Sequence, residues 1–133
     1  MLKPLRILLI DDNHDTADSL AEFLLLCGFP AQVVYDSSVA LATVTSEQLD
    51  VFIADIGMPH LNGFDLAFQI TARGAPKPLM IAVTGYDHAP IREQCRKAGF
   101  DHFFVKPADP DELLSLLRHH ADCLSREVGP GSE

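Results

Sequence analysis

The sequence predicts an α/β domain in which a doubly wound sheet of parallel strands has helices on both faces. Four short apolar runs, rich in branched or aromatic residues, have the character of strands buried on both faces, and a weaker fifth run follows the first. Segments with helical spacing separate the runs, so that strand and helix alternate five times. Such alternation is typical of parallel sheets with right-handed crossover connections.

The strands are short and nearly continuous in apolar character. They are predicted at Arg6–Ile10, Ala31–Tyr35, Val51–Ala54, Leu79–Val83 and His102–Val105. The run at Ala31–Tyr35 is the weakest of the five. Because a strand covered by helices on both faces needs apolar side chains in both directions, these runs indicate the buried centre of the domain.

The helices follow from apolar residues that recur every three or four positions. They are predicted at 15–27, 38–45, 63–73, 89–98 and from Pro110 to about Leu124. Gly28 lies where a left-handed residue would end the first helix. The last helix is the best marked, because Asp109 can cap it and Glu112 completes a capping box. The apolar residues presented by the third helix are Phe64, Ala67, Phe68 and Ile70.

Length and composition are those of one compact domain. The chain has 133 residues, 47% of them hydrophobic, which is enough for a single core. A formal charge of −9 argues against binding to nucleic acid or to an anionic membrane surface. The apolar run Ile7–Ile10 is too short for a signal peptide or a membrane span. Three scattered cysteines indicate neither a disulfide framework nor a zinc site, so a cytoplasmic location is expected.

Polar side chains follow four of the predicted strands. Asp11 and Asp12 follow the first strand, Asp55 the third, Thr84 the fourth and Lys106 the fifth. Ligands of open parallel sheets bind at the carboxyl ends of the strands, so these groups should converge. Three converging carboxylates repel one another unless a cation neutralises them, and a hard divalent ion, above all Mg²⁺, suits oxygen ligands.

Such an arrangement is suited to phosphoryl transfer. With Asp11 and Asp12 on the metal ion, Asp55 can act as a nucleophile toward phosphorus and form an aspartyl phosphate. The transfer needs mainly positioning and neutralisation of charge on the phosphoryl oxygens. Lys106 supplies a positive charge and Thr84 a hydroxyl donor for these oxygens.

Taken together, the motifs resemble the receiver domain of two-component response regulators, the CheY-like family. The resemblance rests on Asp11-Asp12, on Asp55-Ile-Gly-Met-Pro59 with Gly63 four residues further on, on Thr84-Gly85 and on Lys106-Pro107. It covers roughly residues 5 to 124. It implies a flavodoxin-like, five-stranded parallel sheet in the order 2-1-3-4-5, flanked by five helices. Residues 1–124 would then form the receiver domain, and 125–133 a flexible C-terminal tail or linker.

The resemblance implies the role of each acidic residue. Asp55 would be the phosphoacceptor. Asp11 and Asp12 would bind Mg²⁺, together with Asp55 and the backbone carbonyl of Gly57.

The resemblance also implies a switch. Thr84 and Lys106 would contact the phosphoryl group, Phe103 falls at the family's aromatic switch position, and Pro107 falls where the family has a cis peptide bond. A static core role for Phe103 is the alternative. Alternation along the strand should turn one of Phe103 and Phe104 inward and the other outward, and the resemblance makes Phe103 the outer ring.

Two residues at variable positions bear on how long the phosphate would last. Tyr86, two residues after Thr84, is expected to shield the phosphoryl group from water, whereas Gly57, two after Asp55, adds no side chain there.

The implied function is a phosphorylation-controlled signalling module, not a turnover enzyme. The phosphoryl group would come from a sensor histidine kinase or a histidine phosphotransfer domain, and a downstream protein or an attached domain would read the result. The face made by the fourth predicted helix, the fifth strand and the fifth helix would change, and Leu114 and Leu116 would offer apolar contacts there. Neither nucleic acid nor membrane is expected as a partner, and a monomer or weak dimer is expected.

Two of the motifs bear on the kind of receiver that the chain resembles. The segment from Asp55 to Gly63 and the run Thr84-Gly85-Tyr86 resemble receivers that stand alone or belong to hybrid histidine kinases more than those joined to DNA-binding domains.

Three other interpretations account for some of these residues. A Mg²⁺-dependent hydrolase with an aspartyl-phosphate intermediate needs a second acid two residues after the nucleophile, where this chain has Gly57. A nucleotide-binding Rossmann domain needs G-x-G-x-x-G after the first strand, and none is present. Asp11 and Asp12, taken alone, could simply cap a helix.

Overall fold

Five strands form one parallel sheet in this computed structural model, which describes residues 5–36, 39–40, 42–43, 48–56, 63–72, 77–85, 89–106 and 108–128. The strands are β1 (Ile7–Ile10), β2 (Ala31–Val34), β3 (Val51–Asp55), β4 (Leu79–Thr84) and β5 (His102–Val105). Their order across the sheet is β2-β1-β3-β4-β5, and every neighbouring pair is parallel. The order implied by the resemblance is therefore confirmed.

Four helices lie in the described part of the chain: α1 (His14–Leu26), α2 (Gly63–Ala72), α3 (Ala89–Ala98) and α4 (Pro110–Val128). Of the helix predicted at 38–45, residues 39–40 and 42–43 are described and are helical, and its other residues lie outside the described part. Helices α3 and α4 are thus the fourth and fifth predicted helices. Helix α4 continues past Leu124, because no residue unfavourable to a helix occurs before Gly129-Pro130. Residues 129–133 of the expected tail lie outside the described part.

The ends of α1 show how local sequence sets a helix. Asn13 caps it, since its side-chain oxygen accepts a hydrogen bond from the N–H of Thr16 at 3.1 Å. The helix cap is therefore Asn13, not the Asp11-Asp12 pair. At the other end Gly28 has a φ of +94°, as predicted, and the N–H of Phe29 donates to the carbonyl oxygen of Leu24 at 2.8 Å.

The sheet separates two clusters of buried side chains. Alternate residues of the central strands face α2 and α3, namely Leu8, Ile10, Phe52, Ala54, Met80 and Ala82. Their neighbours face α1 and α4, namely Ile7, Leu9, Val51, Ile53, Ile81 and Val83. Burial in both directions is the reason these strands are apolar without interruption.

Two apolar residues differ from expectation. Phe68 of α2 is 53% exposed and does not belong to the core. The buried face of that helix is set by Leu66, Ala67 and Ile70, and each residue turns the helix by about 100°, which carries Phe68 outward. Leu114 of α4 is buried, because it lies three residues before Leu117 and shares its face.

Strand register brings the acidic residues side by side. Ile10 of β1 pairs with Ala54 of β3, so the next residues along the two strands, Asp11 and Asp55, are neighbours. Strands β3 and β4 each run one residue further than predicted, because Asp55 still pairs with Val83 and Thr84 with Val105. In the described part of the chain, no helix is both long and apolar enough to cross a membrane.

Candidate functional site

Three carboxylates converge at the carboxyl ends of β1 and β3. One carboxylate oxygen from each of Asp11, Asp12 and Asp55 lies within 4.8 Å of the other two. Asp11 and Asp55 are 4% and 7% exposed, whereas Asp12 faces solvent. Two buried carboxylates and one exposed carboxylate make a cluster that is open on one side. This donor set fits a hard divalent cation, which prefers several carboxylate oxygens.

Lys106 reaches this cluster from the end of β5. Its ammonium donates to Oδ2 of Asp55 at 2.5 Å and to Oδ2 of Asp11 at 3.3 Å. The backbone N–H of Lys106 donates to the carbonyl oxygen of Thr84 at 2.7 Å, which ties the start of the loop after β5 to β4. One cation therefore bridges the two buried carboxylates directly.

Burial and the neighbouring charges raise the pKa of both Asp11 and Lys106. Burial raises the pKa of the Asp11 carboxyl above its ordinary value, and the negative charge of Asp55 adds to this rise. The N–H of Asn13, which donates to Oδ1 of Asp11 at 2.9 Å, acts in the opposite direction. Burial alone would lower the pKa of the Lys106 ammonium, but its hydrogen bond to Asp55 and the two negative charges outweigh burial and raise the pKa.

Thr84 and Phe103 lie on the same face of the sheet. Thr84 ends β4 and is fully buried. Phe103 of β5 pairs with Ala82 and packs, half-buried, against the core beneath α2 and α3. Phe104 packs against the opposite core, so the two rings lie on opposite faces of the sheet. Both rings are half-buried, so the expectation that Phe103 faces outward and Phe104 inward is not met, because helices cover both faces of the strand.

Beside the carboxylates lies an apolar cavity of about 360 Å³. Its walls include Ala17 and Leu20 of α1 and Ile53 of β3, and it opens on Asp55 and Lys106. Apolar walls exclude water from one side of the carboxylates, which strengthens the attraction between Lys106 and Asp55. Nothing in the strand pattern predicted this cavity, because it depends on how α1 lies against the sheet.

The predicted site residues divide into two groups. Those that the structure describes lie at or near one edge of the sheet: Asp11, Asp12, Asp55, Thr84 and Lys106 at the edge, and Phe103 within β5, three residues before Lys106. Gly57, Tyr86 and Pro107 lie outside the described residues, so their roles stay predictions. The sequence reasoning missed Asn13, although an asparagine directly before a helix is a recognisable cap signal.

The match to known proteins agrees with this geometry. A family model described as the response regulator receiver domain matches residues 7–118. The chain therefore belongs to the response regulator receiver domain family.

Individual relatives are similar in sequence, and solved structures are similar in fold. The chain is 30% identical over 129 residues to response regulator MprA of Mycobacterium sp. strain KMS, a match that covers 97% of this chain and 56% of MprA. The crystal structure of a CheY-like response regulator receiver domain protein from Methanospirillum hungatei JF-1 has a TM-score of 0.82 and 26% identity, over 94% of this chain and 99% of that one. The BeF3-activated DrrB receiver domain has a TM-score of 0.80 at 19% identity, over 90% and 99% of the two chains. The chain spans about half the length of the curated relatives it matches.

Proposed function

We propose that this receiver accepts a phosphoryl group on Asp55 from a phosphohistidine, carried by a sensor histidine kinase or a histidine phosphotransfer domain. The observation that supports this most is the bridge from Lys106 to Oδ2 of both Asp55 and Asp11, at the carboxyl end of the sheet. A carboxylate beside a fixed ammonium can attack phosphorus while the same ammonium meets the charge of the phosphoryl oxygens.

The transfer is a displacement at phosphorus. A carboxylate oxygen of Asp55 forms the new P–O bond as the P–N bond to the imidazole breaks. The imidazole leaves with the electron pair of that bond and takes up a proton, so the donor becomes neutral histidine. Lys106 would move from Oδ2 of Asp55 to the incoming phosphoryl oxygens, and the Thr84 hydroxyl would donate to another of them.

The proposed cofactor is Mg²⁺. The carboxylate oxygens of Asp11, Asp12 and Asp55 lie close enough together to hold one ion, and the backbone carbonyl of Gly57 is a further proposed ligand. When bound, the ion neutralises part of the charge on the phosphoryl oxygens. The N–H of Asn13 orients Asp11 for this role, because it occupies Oδ1 of that carboxylate.

The proposed output is a change in the face formed by α3, β5 and α4. Drawing Thr84 toward the phosphoryl group would let Phe103 turn inward, and a protein target or attached domain would bind the altered face. Leu116 on α4 is half-buried, so part of its side chain remains available for contact. The domain is thus proposed to act as a signalling module, not a turnover enzyme, and as a monomer or weak dimer.

The test uses a small acyl phosphate as donor and intact-mass spectrometry as the readout. With Mg²⁺ we expect one phosphoryl group per chain, almost none in Asp55→Asn, and the parental amount in Asp122→Asn, an exposed carboxylate of α4. Phosphorylation of Asp55→Asn at the parental level would overturn the proposal. Rapid continuous release of phosphate from simple phosphate esters would instead favour the Mg²⁺-dependent hydrolase.

A further inference from the structure

A cation lies over the ring of Phe103. The guanidinium carbon of Arg92, an exposed residue in the first turns of α3, is 4.6 Å from the ring centroid of Phe103. At this distance the positive charge is attracted by the negative face of the ring. The contact joins α3 to β5, two of the three elements in the proposed output face.

Strand pairing places Phe103 beside the end of β4. Phe103 pairs with Ala82, whose small side chain points to the same face of the sheet, and Thr84 follows two residues later on that face. Ala82 and Thr84 are both fully buried. The ring is therefore contacted by an exposed cation of α3 and belongs to a strand that pairs with the buried end of β4.

We propose that Arg92 is a positioning residue that holds the half-buried ring of Phe103 where the guanidinium contacts it, and thereby opposes a turn of the ring toward Thr84. This inference rests on the proposed function and adds to it the residue that sets the balance between two orientations of the ring. In the same structure the ammonium of Lys106 contacts Oδ2 of Asp55 directly, which is the contact that the proposed phosphoryl transfer would replace. A ring that turns toward Thr84 leaves the guanidinium behind.

The consequence is thermodynamic. A contact made in only one of two ring orientations stabilises that orientation relative to the second. It therefore lowers the affinity of any ligand that binds better when the ring is in the second orientation. Loss of the guanidinium should therefore tighten binding of beryllofluoride, which mimics the phosphoryl group. An exposed cation–π contact corresponds to a change of about two- to five-fold.

The helix supplies a matched control. Arg96 lies one turn further along α3, is also exposed, and is paired with Glu93 at 2.5 Å. Arg92→Met keeps an unbranched apolar stem without the charge, and Arg92→Lys keeps a cation. Arg96→Met removes the same charge from the same helix, at a position that pairs with the carboxylate of Glu93.

The experiment is a calorimetric titration of beryllofluoride in saturating Mg²⁺. We expect Arg92→Met to bind about two- to five-fold more tightly than the parent, Arg92→Lys to fall between them, and Arg96→Met to match the parent. In a Phe103→Leu background, Arg92→Met should no longer raise the affinity for beryllofluoride, because the ring is absent. The ring ¹³C resonances of Phe103 should also shift in Arg92→Met before any ligand is added.

The outcomes separate the two ideas. Equal affinity in the parent and Arg92→Met, or the same gain with and without the Phe103 ring, overturns the role of Arg92 and leaves the proposed function standing. A parent protein that takes neither beryllofluoride nor a phosphoryl group overturns the proposed function, and the role of Arg92 falls with it.

Discussion

At the scale of single residues, the balance of charge in the acidic cluster decides how the protein responds to a metal ion. Asp11, Asp12 and Asp55 bring three negative charges together, and Lys106 offsets only one of them. A divalent ion would relieve the remaining repulsion, so its binding should favour the folded state.

Adding Mg²⁺ should therefore stabilise the fold. At a concentration ten times its dissociation constant, a ligand raises the free energy of unfolding by about 1.4 kcal/mol. Removing one ligand in Asp12→Asn should reduce this gain, whereas Asp122→Asn should keep it. Urea unfolding of the three proteins with Mg²⁺ and with EDTA measures the difference. An equal gain in Asp12→Asn and the parent would argue against a metal ion at this cluster.

Cys95 should be the least reactive of the three thiols. It lies on the buried face of α3, and burial raises the pKa of its thiol to about 11, so about one thiol in a thousand is ionised at pH 8. Cys27 and Cys123 are only half-buried. Timed alkylation at pH 8, followed by peptide mass spectrometry, should label Cys95 last in the folded protein and all three alike in urea. Equally rapid labelling of Cys95 in the folded protein would contradict its burial.

The acidic and basic residues of the site could be predicted because each directly follows a strand, and parallel strands end at one edge. The contact of Arg92 with Phe103 could not be predicted in this way. It depends on the rotation of α3 about its axis and on the rotamer of a long side chain, and neither leaves a periodic signal in the sequence. The cap at Asn13 had a signal, but the neighbouring aspartates offered a competing explanation.

At the scale of elements, two glycines end helices in the same way but in different surroundings. Gly28 after α1 and Gly99 after α3 have φ values of +94° and +107°. A Cβ added at Gly28 would meet nothing within 4 Å, whereas one at Gly99 would lie 2.5 Å from Cγ2 of Thr71 in α2. The second turn therefore also fixes the close approach of two helices.

Substitution of these glycines should separate backbone strain from steric overlap. Gly28→Ala should lower the free energy of unfolding by about 1–2 kcal/mol, the strain of a left-handed residue with a side chain. Gly99→Ala should cost about 1–3 kcal/mol more, because the added methyl group overpacks the contact with Thr71. In the Gly99→Ala protein, a second substitution, Thr71→Ser, removes Cγ2 and should recover most of that additional loss in the free energy of unfolding. Urea unfolding tests this, and equal losses at Gly28 and Gly99 would refute the steric argument.

The core faces of the strands could be predicted more securely than those of the helices. Residues in a strand alternate strictly, so opposite placement of Phe103 and Phe104 follows from their adjacency. A helical stripe is broader, and a residue at its margin, such as Phe68, can lie inside or outside depending on a small rotation. The prediction for Phe68 of α2 was therefore wrong, because the residue is exposed and not buried. The prediction for Leu114 of α4 was also wrong, because that residue is buried and not available for contact.

At the scale of the whole molecule, the site and the proposed output face are joined through β4 and β5. Thr84 and Phe103 lie on adjacent parallel strands, so the proposed switch has only one strand pair to cross. The strand order that creates this adjacency came from resemblance to the receiver family, because local pattern predicts strands but not their neighbours. The family match and the sheet order now agree.

Beryllofluoride should change this pair and the face around it. In amide NMR spectra with Mg²⁺, addition of beryllofluoride should shift the signals of Thr84 and Phe103 and those of α3 and the first turns of α4. The signals of β2, at the opposite edge of the sheet, serve as an internal reference and should move least. Changes confined to the acidic cluster would mean that phosphorylation does not reach the proposed face.

Hydride trapping can show which aspartate carries the phosphoryl group. The chain is incubated with an acyl phosphate and Mg²⁺, reduced with borohydride, which converts an aspartyl phosphate to homoserine, and digested for peptide mass spectrometry. Our account predicts the conversion at Asp55 and at no other aspartate. Conversion at Asp11 or Asp12, or no conversion of Asp55 under conditions that phosphorylate a known receiver, would contradict it.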